Sequence, residues 1–268
     1  MLIQIDRYFG FLLSIIRKGQ VLCQKIPEVL KAIRTGYRLG SSPKNKLHSI
    51  DERYFGWEKK YTTETYNKQG FYAWEEEMAN KYFVGCNKIL IGAVGGGREA
   101  YAFEKRGCAV DAFECNPKLV AFANGFLEKE GLRARVVLTQ RDECLVTGQI
   151  YDGAVVGWGA YMSIQGRNKR IAFIKKMREQ LKENAPLLLS FWVFPTEKVS
   201  FRHTVIFYVG RTLRWLLRES PLELGDEFYM FFGHVFTRQE IQEELEAAGF
   251  KLACLVRTGF GHAVGLAS

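Results

Sequence analysis

Three glycines and two acidic positions are the residues of this chain with the plainest chemical meaning. Gly95, Gly96 and Gly97 stand together after an apolar run, Glu114 follows 17 positions after Gly97, and the pair Asp142–Glu143 comes later. Consecutive glycines let a backbone approach a ligand closely, and a helix opening behind them offers unpaired N–H groups. A carboxylate at the end of the next strand can grip both hydroxyls of a ribose. An acid after the strand beyond that is placed to accept a hydrogen bond from an exocyclic adenine amine. Together these types and spacings describe the holding of a nucleoside. A glycine-rich turn alone also serves ordinary strand-to-helix connections; the acid that follows strand two is what gives this one a ligand.

Regular elements must set these residues in place, and the pattern supplies them. Ile89, Leu90 and Ile91 read as a short buried strand. A helix over Arg98–Arg106 stops at Gly107, a residue suited to the C′ position, and Cys108–Phe113 alternates as a second strand. A helix over Lys118–Glu130 and a strand over Ala134–Leu138 follow. A fourth strand, Ile150–Gly157, leaves on Trp158 and Gly159. A helix over Arg167–Lys182 with Lys and Arg on its outer face leads to a fifth strand, Pro186–Val193. Thr237 with Glu240 three residues on makes a capping box for a last helix that ends at Gly249 before a strand. Strand and helix in alternation predict an α/β fold with a mostly parallel sheet. Counted from Gly95, the turn also meets a dinucleotide fingerprint, with Ala100 at its third position. A nicotinamide-dependent oxidoreductase therefore stays open on the turn alone.

From about Asn87 to Ser268 the chain resembles the class I S-adenosylmethionine-dependent methyltransferases. The resemblance is carried by GAVGGGREA, DAFECNP, the Asp142–Glu143 turn, YDGAVVGW and the closing HVFTRQEIQEELEAAGF. It implies a Rossmann-like sheet with helices on both faces, and S-adenosyl-L-methionine as cofactor. Carried over position by position, it implies that Ala93, Val94, Gly95 and Gly97 form the loop that holds the methionine part and ribose. Glu114 would hold the ribose hydroxyls, and Asp142 or Glu143 would read the adenine. Trp158 and Gly159 would face the methionine moiety and the methyl group in transfer. Such enzymes often close the cofactor site with a helix before the first strand; here that is Glu58–Phe83, with Tyr61 and Tyr66 as candidates to reach the methionine carboxylate. Two positions depart from the pattern: Ile91 stands where an acid is usual and Ala93 where the first glycine is usual. The acidic pair and the C-terminal helix argue against the nicotinamide reading.

Composition fits a soluble, cytoplasmic enzyme: 268 residues, 47% hydrophobic, can bury the core of one α/β domain with additions. Cys23, Cys86, Cys108, Cys115, Cys144 and Cys254 show no paired spacing, and the four histidines no metal-ligand spacing, so no disulfide framework and no metal site are expected. The net charge of +9 is concentrated, because residues 1–50 hold nine Lys/Arg against Asp6 and Glu28. That basic extension contains an apolar run, Tyr8–Ile16, too short to span a bilayer. A helix follows Pro27, with Val29, Ile33 and Tyr37 on one face and Lys31, Arg34 and Arg38 on another, and then a linker, Gly40–Lys46. Three readings of residues 1–46 stand together: a helical cap on the catalytic body, a segment docking peripherally on an anionic membrane, and a contact with a partner protein.

Between strand five and the last helix, residues 195–234 form a second insertion with helical spacing, Val205, Val209, Leu213 and Leu216 on one face and Arg211, Arg214 and Arg218 on another. In the methyltransferase fold such an insertion covers the acceptor, which makes Arg202, Arg211 and Arg214 candidates to hold an acidic group of the substrate. A solvated arginine face is the competing reading. Where the acceptor must lose a proton, His234 is the candidate base, followed by Tyr161 and His203. No RNA-binding motif is present and GWGA follows strand four, so nucleic acid is disfavoured as substrate. The expected domains are an extension over 1–50 and a methyltransferase domain over 51–268. The expected function is methyl transfer to oxygen or nitrogen of a small-molecule or lipid-like acceptor. The alternative is a non-catalytic protein that binds S-adenosylmethionine or its demethylated product as a regulatory or scaffold subunit.

Overall fold

A computed structural model describes residues 26–258 and 260–268. Tyr8–Ile16 and Cys23 lie outside the described residues. By compactness the described chain forms two units: residues up to Pro43 with Ser200–Glu227, and Lys44–Val199 with Phe228–Ser268.

The larger unit is built on a sheet. Its strands are β1 (Lys88–Gly92), β2 (Ala109–Glu114), β3 (Arg135–Leu138), β4 (Gly153–Val156) and β5 (Pro186–Val193). A strand β6 (Asp226–Phe228) lies at the boundary of the two units, and β7 (Phe232–Phe236), β8 (Phe250–Val256) and β9 (Gly261–Ala267) complete the set. The order β3-β2-β1-β4-β5 is parallel throughout; β9 then joins β5 antiparallel and β8 joins β9, while β7 pairs in parallel with the last residues of β5. The strand order reverses between β1 and β4. In such sheets the crevice beyond the strand ends at that reversal is where ligands bind.

Helices α5 (Arg98–Lys105), α6 (Pro117–Lys129), α7 (Arg167–Arg178) and α9 (Arg238–Ala247) connect the strands. Two separate clusters of buried apolar side chains are formed. One unites Ile89, Ile91 and Val110 with Phe103 and Leu127 of α5 and α6, and the other unites Leu187 and Leu189 with Ile174 and Ile241 of α7 and α9. The capping box of α9 is present, with Glu240 accepting from the Thr237 N–H at 2.7 Å and Thr237 accepting from the Glu240 N–H at 3.2 Å.

Three expected boundaries shift, each for a local reason. The fourth strand starts only at Gly153 because the Asp152 carboxylate accepts the N–H groups of Asn87 and Lys88 at 2.8 and 2.9 Å. The helix expected to reach Lys182 ends at Arg178, because Gln180 and Lys182 turn to bond the backbone of Tyr151. The single helix expected over Glu58–Phe83 is broken into a 3-10 turn, Lys59–Thr62, and helices α3 (Glu64–Lys68) and α4 (Ala73–Tyr82). Thr63 and Tyr72 are extended, and Gly70 has a φ of 65°, a left-handed conformation that ends α3. The segment expected to be a linker, Gly40–Lys46, holds only a short break: helix α1 spans residues 26–41, and α2 (Lys44–Trp57) starts at once and belongs to the larger unit.

The smaller unit pairs α1 with α8 (Phe201–Leu216) through glycines. A Cβ on Gly36 would lie 2.7 Å from the Ile206 carbonyl oxygen, and one on Gly40 would lie 2.7 Å from the Leu213 Cβ, so the two backbones approach as closely as glycine allows.

Candidate functional site

The backbone turn after β1 creates the site. Ala93, Gly95 and Gly97 all take positive φ (52°, 59° and 99°), so the chain reverses within five residues, and Gly97 becomes the N-cap of α5. Gly96 is demanded by packing: a Cβ there would lie 2.0 Å from the Tyr61 carbonyl oxygen. Asn67, fully buried, donates its side-chain amide to that same oxygen at 3.1 Å and to Thr63 O at 2.9 Å, locking the segment before α3 against the turn. Arg98, at the start of α5, is buried and pairs in bidentate fashion with Glu75 of α4 and at 2.6 Å with Glu99. Glu99 also accepts the Trp158 N–H at 3.2 Å, so the loops after β1 and β4 are tied together.

Glu114 ends β2 with its carboxylate held by three backbone donors: Gly95 N at 3.0 Å on one oxygen, and Cys115 N and Asn116 N at 2.8 and 2.9 Å on the other. A carboxylate fixed this way cannot swing, and the oxygen that accepts from Gly95 N keeps a lone pair for a further donor. The cavity it borders, about 300 Å³, is lined also by Ala93, Gly95, Asp142, Glu143, Trp158, Gly159 and Tyr61. It lies at the strand-order reversal. Asp142, with φ at 62°, is held by Lys169 at 3.1 Å.

Of the residues expected to bind cofactor, Val94, Gly97 and Tyr66 do not line this cavity. Val94 is buried in the apolar cluster and Gly97 packs toward Ala123 and Leu127. The Tyr66 hydroxyl is bonded to the Tyr72 hydroxyl at 2.8 Å. The expected bases are placed elsewhere. Tyr161 is fully buried and donates to Glu244 at 2.5 Å; burial, followed by the Glu244 charge, holds its hydroxyl well above its ordinary pKa. Glu244 is also gripped by Arg170, which thus points inward and not to the outer face of α7. His234 is fully buried in β7, its Nε2 3.6 Å from Glu240 and its ring against Phe236. Both residues belong to the core and neither borders the cavity.

Of the insertion's arginines, Arg214 departs from the expectation. Arg214, which the spacing puts on the outer face of α8, is buried beside His203, Ile206 and Gly210. Its guanidinium donates to Leu39 O and Ser42 O at 3.0–3.2 Å and to Ser220 O at 3.0 Å, satisfying carbonyls at the end of α1. Arg202 pairs with Glu227. Arg211 is exposed with its guanidinium over Phe207.

Nothing in the spacing of the sequence marks α2 as part of a site. Helix α2 sends His48, Glu52 and Phe55 into the cavity lining and carries the buried Asp51. Asp51, fully buried, accepts from Arg141 at 2.8 Å and from the Phe232 N–H at 2.9 Å. Burial lifts its carboxyl to about 6 against the pull of Arg141. Burial, with the Arg141 charge next, lowers the His48 imidazole to about 4, so it is neutral at pH 7. His48 Nε2 and the Ser163 Oγ are buried polar atoms of this lining without a hydrogen-bond partner among the described residues. A ligand that supplies partners to both relieves a cost that the free protein carries. The turn, the anchored Glu114 carboxylate, Asp142 and these two orphaned atoms fit an adenosine-bearing cofactor.

At the Trp158 side the surroundings are aromatic. Trp158 packs on Phe260 at 4.8 Å between ring centres, and Phe55 meets Tyr61 at 6.0 Å and Phe231 at 5.0 Å. Trp192 stacks behind Phe231 at 5.5 Å.

No protein-family model matches the chain, and no curated protein matches it. Solved structures do. A S-adenosylmethionine-dependent methyltransferase from Methanosarcina mazei aligns with a TM-score of 0.56 at 17% identity, over 74% of this chain and 98% of that one. CalS10, an amino pentose methyltransferase from Micromonospora echinaspora solved with S-adenosylmethionine bound, aligns at 0.53 and 18% identity, over 74% and 92%. SpnF, described as a [4+2]-cyclase, aligns at 0.52 and 15% identity, over 68% and 59%. The chain therefore has the fold of the S-adenosylmethionine-dependent methyltransferases, a fold on which more than one chemistry is found.

Proposed function

We propose that this chain, with its methyltransferase fold, binds S-adenosyl-L-methionine in the cavity at the strand-order reversal and transfers its methyl group to a small-molecule or lipid-like acceptor. The observation that carries the reading is Glu114, a buried carboxylate at the end of β2 immobilised by three backbone N–H groups on the cavity wall. Its remaining lone pair suits a ribose hydroxyl, the turn Ala93–Gly95 suits the methionine part, and Asp142 or Glu143 suits the adenine amine.

When bound, S-adenosylmethionine supplies a methyl group already activated by its sulfonium. The part left to the chain is to bind, orient and exclude water. Trp158 and Gly159, fixed by bonds to Glu99 and to the Ser190 hydroxyl at 2.9 Å, border the space where nucleophile and methyl must align. The aromatic side chains of Phe55, Tyr61 and Trp158 on the cavity wall offer apolar contact to an acceptor. His234 and Tyr161 are sealed in the core, which favours an acceptor that needs no protein base: an amine nitrogen over a hydroxyl. The same burial, with the apolar Ile91 at the usual acidic position, also favours a second reading, a non-catalytic binder of the same nucleoside.

Calorimetric titration with S-adenosylmethionine and S-adenosylhomocysteine tests the proposal. Binding of both is expected, and Glu114→Gln is expected to weaken it by about 10–100-fold through loss of charge-assisted hydrogen bonds. Failure of the intact chain to bind either ligand would overturn it. Formation of S-adenosylhomocysteine over a panel of amines and alcohols separates the enzyme from the non-catalytic binder.

A further inference from the structure

The smaller unit leaves a surface that the cofactor site does not explain. On α1, Ile26, Leu30, Ile33 and Tyr37 recur at intervals of four, three and four, which puts them on one helical face, and each is at least 42% exposed. On α8, Phe201, Tyr208 and Trp215 recur every seven residues on one face and are 71%, 64% and 75% exposed. The apolar side chains of a paired helix normally turn inward. Here Ala32, Gly36 and Gly40 meet Gly210 closely, with Leu39, Ile206 and Arg214 also buried, while the large apolar side chains of the two stripes stand outside.

Charge says what such a surface meets. Of the six Lys/Arg on helices α1 and α8, Arg214 is buried and Arg202 pairs with Glu227, which leaves four against one acid, Glu28, and that acid is engaged by Lys31 at 2.9 Å. Lys31, Arg34 and Arg38 form an exposed basic row on α1, and Arg211 is exposed on α8. A second copy of the chain would bring like-charged rows together with no acidic row to receive them. Among the described residues no helix is long and apolar enough to cross a membrane. Exposed Trp, Tyr and Phe beside Lys and Arg, on helices that do not span, are the composition of a segment lying in the headgroup layer of an anionic bilayer.

We propose that the α1–α8 unit is a membrane-docking module, whose apolar stripes enter the interfacial layer of an anionic bilayer while Arg34 and Arg211 engage lipid headgroups. It stands on the smaller unit alone and needs no cofactor.

The test is flotation of the full chain with vesicles of phosphatidylcholine, with and without phosphatidylserine, in the absence of cofactor. Partition is expected on the anionic vesicles and should fall as salt rises. Tyr208→Ser with Trp215→Ser should reduce it at least about tenfold. Arg34→Glu with Arg211→Glu should cost roughly fivefold per charge on anionic vesicles only. These side chains are exposed, so an unchanged melting temperature confirms that the variants fold. No partition, partition equal in all variants, or a stripe variant that converts a dimer to a monomer would each overturn the proposal. Cofactor titration of the same samples fails or succeeds separately, so the two readings are told apart.

Discussion

Ser163 and His48 border the cavity with a buried atom that has no partner among the described residues, and this makes their roles separable from folding. Removing an unsatisfied hydroxyl costs the free protein nothing and relieves a desolvation penalty of about 1 kcal/mol. Ser163→Ala is therefore expected to leave the melting temperature unchanged or raised while S-adenosylmethionine affinity falls about three- to tenfold. Calorimetry beside thermal denaturation checks the two halves; a variant that loses stability and keeps its affinity would refute the assignment. Asp51 gives a pH signature. Its folded pKa of about 6 lies above the ordinary carboxyl value, so the unfolded chain gives up this proton first as pH rises. The stability it contributes is whole below about pH 4 and is lost as pH rises through 6, amounting to about 2–3 kcal/mol. Urea denaturation of the wild type and Asp51→Asn at pH 4.5 and 7.5 should show the wild type losing about 2 kcal/mol relative to the variant, the remainder having gone below pH 4.5.

At the scale of elements, the turn between β1 and α5 works as a joint with a tight side and an open side. Gly96→Ala sets a Cβ against the Tyr61 carbonyl, and is expected to destabilise by about 1–3 kcal/mol and to weaken cofactor binding by displacing Tyr61. Gly95→Ala meets no atom within 4 Å and should cost only the strain of a left-handed residue, about 1–2 kcal/mol. Chemical denaturation of the two variants ranks them. The strands, the turn and the capping box were legible because each is local: an apolar run, a glycine cluster, Thr237 and Glu240 at fixed spacing. Glu114, Asp142 and Trp158 were legible for the same reason, since they follow strands whose ends are fixed by pattern. What escaped depends on long-range packing. Arg214 is drawn inside by carbonyls of a helix some 170 positions earlier, and His234 and Tyr161 are drawn into the core by Glu240 and Glu244 of α9. The contribution of α2 did leave a trace, because His48, Asp51, Glu52 and Phe55 fall on one helical face; mixed with charge and lacking an apolar stripe, that face carries no sign of a cavity across from it.

At the scale of the whole molecule, a sheet of one fold and a helical unit of different surface chemistry are encoded in interleaved stretches of one chain. Ser200–Glu227 groups with α1, which precedes it by more than 150 residues. The smaller unit depends on Arg214. Arg214→Ala leaves the buried carbonyls of Leu39 and Ser42 without their donor, and should cost about 3 kcal/mol, read as faster proteolysis within residues 26–43. In the larger unit, the buried Asp51 joins three places distant in sequence: α2, the Arg141 turn after β3, and the entry to β7. Arg141 also lines the cavity, so a ligand settling beside it shifts the charge that Asp51 sees. Occupancy and protonation are then two readings of one equilibrium. Near pH 6 the uptake of ligand is expected to exchange a fraction of a proton with solvent, and the heat of binding should vary with the ionisation enthalpy of the buffer, a dependence that Asp51→Asn abolishes.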